Sequence, residues 1–153
     1  MILALATCGC VFAQYVLGGL VRHRGMVLYE HLGFAFVVAL MTIWLAMSAA
    51  ASGIRWLRGP AALLALLTIV QLGLGGGAWV TKFGFGGYVA VYGSLVQDMV
   101  RTSHVLCGML LFVTSVILNL RVARLEWLSH GTASAASALS AFDRAMQPAG
   151  GPR

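Results

Sequence analysis

The stretch Arg101–Arg121 (RTSHVLCGMLLFVTSVILNLR) constrains this chain most: it is an apolar run closed by an arginine at each end. As a helix rising 1.5 Å per residue it is about 30 Å long, the thickness of the hydrocarbon core of a bilayer. His104 lies one turn inside it. An ionisable side chain within a spanning helix costs roughly 2–3 kcal/mol or more, so His104 requires a partner from elsewhere in the chain.

Three further apolar runs accompany it. The first covers Ile2 to Val21 without a charge and is closed by Arg22, His23 and Arg24. It has no basic segment before it and no small-residue cleavage site, so it reads as a retained helix and not a signal peptide. The second runs from Val27 to Ser52, with Glu30 and His31 at its mouth, and the third from Ala61 to Val80 after a turn containing Arg55, Trp56, Arg58 and Pro60. An apolar, aromatic and glycine-rich loop, Thr81 to Val100, is expected to lie in the membrane interface as a lid over the bundle mouth. A composition that is 60% hydrophobic and only 9% charged suits no soluble domain. Short connections then favour an all-α, up-down-up-down bundle of four transmembrane helices over residues 1–125. Residues 126–153, rich in Ala, Ser, Gly and Pro, read as a short helical extension and then a disordered cytoplasmic tail. The net charge of +6 is divided between loops and tail, which argues against nucleic acid as a partner. Cys8, Cys10 and Cys107 all fall in apolar runs and read as packing residues, with no disulfide framework.

The chain repeats itself. Gln14-Tyr-Val-Leu-Gly18-Gly19 aligns with Gln71-Leu-Gly-Leu-Gly75-Gly76, 57 residues later (71 − 14). Each copy closes an odd-numbered span, and the even-numbered span that follows opens with a histidine: His31, then His104, 73 residues apart (104 − 31). A duplicated helix hairpin places equivalent residues at equivalent depth. Gln14, Gly18, His31, Gln71, Gly75 and His104 therefore share one leaflet. Ala35 and Gly108 put a small residue one turn below each histidine, on the same face. The glycine pairs remove side chains from the other two helices at that level. The expected result is a flat slot closed by two imidazoles, into which a haem ligated by His31 and His104 fits. Arg22, Arg24, Lys82 and Arg101 are available for its propionates, since arginine pairs carboxylates bidentately. Each feature also has a plainer use. Paired glycines let membrane helices approach closely, the glutamines hydrogen-bond between helices, and the arginines anchor helix ends. Glu30 is either a titrating group at the slot mouth or a solvated acid favoured by the helix dipole.

The blocks QYVLGGLVRHRGMVLYEH (residues 14–31) and Arg101–Arg121 resemble the haem A synthase family, the likeness covering roughly residues 10–125. The resemblance implies a four-helix bundle that holds haem between histidines of its second and fourth helices, the positions of His31 and His104. It further implies oxidation of a methyl group of haem O to the formyl of haem A, with water as the oxygen source, for terminal oxidase biogenesis. In that family two such bundles occur together, one binding haem O as substrate and one keeping haem b as cofactor. This chain has one bundle, no paired loop cysteines, and a glutamate adjacent to its histidine, Glu30-His31, instead of a few residues before it. An immediate neighbour lies about 100° round the helix, so a catalytic role for Glu30 does not carry over directly. The bundle resembles the cofactor-haem type at least as well. The partners this implies are the lipid bilayer, haem, a second copy or a second homologous bundle, and possible contacts with haem O synthase or terminal oxidase assembly factors. The alternative reading is a non-catalytic haem-b electron-transfer or haem-holding subunit. Arginine and lysine counts near the spans tie, and Arg144 and Arg153 tilt the orientation toward both termini cytoplasmic, in a bacterial cytoplasmic membrane with the haem near its outer face.

Overall fold

The structure is a computed structural model, and it describes residues 1–146. Four helices make up nearly all of it: α1 Ile2–Arg24, α2 Leu28–Ala51, α3 Arg55–Phe83 and α4 Leu95–Met146. All four are long and apolar enough to cross a membrane. No strand is present among the described residues; an isolated bridge joins Phe85 and Tyr88. Each helix packs against the next in sequence, and α4 closes the ring against α1. Gln71 approaches His104 at one end of the α3–α4 pair and Arg121 meets Trp56 at the other, so the two helices run antiparallel.

The connections explain the register. Gly25 ends α1 in the left-handed conformation (φ 65°) and donates its N–H to the Val21 carbonyl, the usual glycine stop. Val27 then caps α2 at φ 58°, a conformation that costs a β-branched residue roughly 1–2 kcal/mol. Its carbonyl accepts the His31 amide at 2.9 Å. The histidine is thus fixed to the first turn of α2 by a strained, three-residue connection.

Three boundaries differ from the sequence reading. The Arg55–Pro60 segment is helical, not a turn, because the chain reverses earlier, through Gly53 (φ 76°) and an extended Ile54. Pro60 then lies inside α3, where it has no amide to give the Trp56 carbonyl. Arg121 of α4 supplies that donor and also stacks over the Trp56 ring, 5.6 Å from its centroid. The loop after α3 is shorter than Thr81–Val100. It is tied to the helix ends: Val91 donates its amide to Thr81 (3.0 Å), and buried Gln97 accepts the Gly93 amide (3.0 Å) while donating to Thr81 (3.4 Å). Its aromatics do not cover the bundle mouth; Phe85, Tyr88 and Tyr92 each leave more than 70% of their surface exposed. Finally, α4 runs on to Met146 as an exposed helix where a short extension and a disordered tail are expected; residues 147–153 of that tail lie outside the described residues. Alanine and leucine favour helix enough to prolong one already nucleated in the bundle.

The apolar core is not central. Ala4, Val11, Val38, Leu45, Ala46, Ala49, Leu57, Ala61, Leu64, Leu111 and Leu118 gather toward the end away from the histidines. A buried hydrogen bond from Thr68 to Thr42 (3.0 Å) joins α3 to α2 within it. The histidine end is packed mainly by glycines and glutamines.

Candidate functional site

His31 and His104, from α2 and α4, face each other across the bundle with ring centroids 6.4 Å apart and planes nearly perpendicular at 86°. Both are half-buried. His104 thus faces the equivalent residue of the other hairpin, and its polar neighbour is Gln71.

The odd-numbered helices make room for these rings. A Cβ added at Gly18 would lie 3.1 Å from Cε1 of His31, and one at Gly75 would lie 3.2 Å from Cε1 of His104. These contacts are tighter than side chains ordinarily tolerate, and they are the same contact in both repeats. The second glycine of each pair, Gly19 or Gly76, has nothing within 4 Å. The doublets thus divide into one residue that clears an imidazole and one that does not. A Cβ added at Gly108 would lie 3.1 Å from Nε2 of Gln71, so this glycine makes room for the amide.

The two glutamines occupy equivalent positions but bond differently. Gln14 donates from Nε2 to the main-chain carbonyl of His31 at 2.9 Å, tying α1 to α2. Gln71 places its Nε2 3.5 Å from Nε2 of His104. Among the described residues, four buried polar atoms have no hydrogen-bond partner: Gln14 Oε1, His31 Nδ1, Gln71 Oε1 and His104 Nδ1. Each repeat contributes one amide oxygen and one imidazole nitrogen. Leaving such an atom unsatisfied costs about 1–3 kcal/mol, and buried groups of this kind call for a ligand or water.

The remaining sequence candidates stand around this centre. Glu30 is exposed in the first turn of α2 and has no hydrogen bond or ion pair among the described residues. Arg22, exposed, ends α1, and Arg101, half-buried, lies three residues before His104; neither has a carboxylate partner among the described residues. Cys107 is buried, and its thiol points to the Leu67 carbonyl at 3.6 Å, a packing contact remote in role from the imidazoles. The sequence offered Gln14 an interhelical hydrogen bond without naming its acceptor, the His31 carbonyl, and the pinning of His31 through Val27 was missed. The polar character of Gln14 in an otherwise apolar span signalled the first.

No group of three or more His, Cys, Asp or Glu is gathered among the described residues. Two imidazoles alone supply half of a tetrahedral set, so a bare zinc-like ion would be under-coordinated. Two imidazoles would fit a metal that arrives already held in an organic ligand. No family model, curated protein or solved structure matches the chain.

Proposed function

We propose that this chain is an integral membrane protein that holds a haem between His31 and His104, and that it works as a haem A synthase-type oxidoreductase. It would act as an oligomer of single bundles or as one half of the enzyme. The observation that carries this reading is the convergence of repeat-equivalent vacancies: two unpartnered imidazole nitrogens and two unpartnered amide oxygens around rings cleared by glycine. The 6.4 Å ring separation supports it too. It is the size expected for two imidazoles on opposite sides of one metal atom, with nitrogen–metal bonds of about 2 Å.

Bound there, haem would supply a one-electron redox centre or, as haem O, the methyl group to be oxidised, its electrons passing to an external acceptor. The chain's own residues would hold it. His31 and His104 would supply the ligating nitrogens. Gly18 and Gly75 keep the rings free to turn, and Gln14 locks the backbone that carries one of them. Gln71 lies close enough to His104 to orient its ring. Arg22 and Arg101 are suited to the propionates. Glu30, at the rim, is the nearest carboxylate in sequence for giving or taking a proton. In this reading the four helices cross a bacterial cytoplasmic membrane with both termini cytoplasmic and the haem near the outer face.

One observation favours a second reading. Glu30 is exposed and offset from the face of His31, and among the described residues no carboxylate pairs with either imidazole. That arrangement suits a bundle that keeps a haem b without converting it. Co-expression with a haem O supply, followed by chromatography of the extracted haem, separates the two. Haem A in the extract supports the synthase; haem b alone, reversibly reduced without product, supports the holding subunit. A colourless protein under both conditions would overturn both.

A further inference from the structure

The end of the bundle opposite the histidines carries four arginines, Arg55 and Arg58 on α3 and Arg121 and Arg124 on α4. None is paired with a carboxylate among the described residues. The acid nearest them on α4, Glu126, is taken by the Met1 amine at 2.5 Å. Arg121 is already employed. It donates one N–H to the Trp56 carbonyl that Pro60 leaves free and lies over the Trp56 ring, so it fixes the distance between the two helices at this level. A guanidinium has five N–H donors, and most of those of Arg121 remain. A shallow depression of about 370 Å³ opens here, lined by Trp56, Leu120, Arg121 and Arg124. Its lining is half apolar and half cationic, and Arg55 and Arg58 flank Trp56 in sequence.

We infer that this depression binds the phosphate of an anionic phospholipid headgroup. A phosphate takes paired N–H groups from arginine in the bidentate geometry that lysine cannot offer. Basic pockets between transmembrane helices are suited to such headgroups, and a tryptophan ring belongs at that depth. Leu120, 63% exposed beside the arginines, presents the apolar surface along which an acyl chain lies. A soluble phosphate ester would use the same guanidiniums but gain nothing from Leu120 or Trp56, which decides for the lipid. The inference does not depend on the haem reading, because the site is about 25 Å from His104 along α4, seventeen residues (121 − 104) at 1.5 Å each.

The test is native mass spectrometry of the full chain released from detergent, titrated with phosphatidylglycerol, phosphatidylcholine or inorganic phosphate. Arg124→Gln and the double variant Arg55→Gln/Arg58→Gln are compared with Arg144→Gln. That control removes the same charge about 30 Å further along α4, twenty residues away (144 − 124). Arg121 is left in place because it supports the fold. Phosphatidylglycerol should bind in preference to phosphatidylcholine. Each arginine removed from this end of the bundle, Arg124 in the depression or Arg55 and Arg58 beside Trp56 in sequence, should weaken it about fivefold, the factor equivalent to ~1 kcal/mol per basic residue. Arg144→Gln should leave it unchanged. Equal loss in Arg144→Gln, no loss in the depression variants, or retention of inorganic phosphate as strongly as of lipid would each overturn the assignment.

Discussion

At the scale of single residues, the account turns on hydrogen atoms that take the place of methyl groups. Gly18→Ala and Gly75→Ala would each press a Cβ to within 3.1–3.2 Å of an imidazole carbon. Overpacking of this kind costs about 1–3 kcal/mol, and here it falls on ring orientation. Haem affinity, measured by titrating apo-protein and following the Soret band, is expected to drop at least fivefold in both variants. Gly19→Ala and Gly76→Ala meet nothing within 4 Å and should bind as the parent does. Were all four equivalent, the glycines would be helix-packing residues and no more. The paired motif made both histidines, both glutamines and the first glycine of each doublet legible before any coordinates, because a repeat marks equivalent positions. The physical cause of that choice of glycine, the rotation of α1 and α3 about their own axes, was not legible. Nor was the service of Gly108 to Gln71, a contact between helices that no spacing within one helix encodes.

At the scale of elements, two fastenings set where the helices stand. The first joins Pro60 to Arg121. Removing Arg121 takes away the donor to the exposed Trp56 carbonyl, an expected loss of ~0.5–1.5 kcal/mol. Pro60→Ala restores the missing amide, so Arg121→Ala should cost measurably less in that background. Unfolding of the single and double variants in mixed micelles gives the coupling, expected at ~0.5–1.5 kcal/mol; strict additivity would mean that Arg121 acts through its charge alone. The second is Gln97, nearly inaccessible at 1% and bonded to Gly93 in the loop and to Thr81 at the end of α3. Gln97→Leu should destabilise the chain by about 2 kcal/mol by stranding the Gly93 amide. It should also speed proteolysis between Gly84 and Ser94. Unaltered cleavage there would show that the loop is held by other contacts. Four apolar runs announced four helices, yet the boundary at Arg55 stayed hidden because the chain reverses earlier, at Gly53, and the one at Leu95 because Gln97 is held by distant Thr81. The length of α4 was missed for another reason: low-complexity Ala/Ser sequence is compatible with disorder, and continuity with a packed helix decides otherwise.

At the scale of the whole molecule, labour is divided along the bundle axis. A dry apolar core with a Thr42–Thr68 bond holds one end together, while small and polar residues at the other end leave two imidazoles facing with unmet bonding capacity. The exposed continuation of α4 contributes to neither. Truncation after Ser129 should therefore leave haem affinity within twofold of the parent, and a larger change would tie the extension to the site. The central claim concerns stoichiometry and is tested most directly by the haem content of the purified chain, read as a pyridine haemochrome per mole of protein, for the parent and for His31→Ala and His104→Ala. One haem per bundle with a low-spin spectrum in the parent, and loss of at least nine-tenths of it in each variant, is the expected result. Full occupancy in either variant, or a parent chain without a Soret band when haem is supplied, would contradict it.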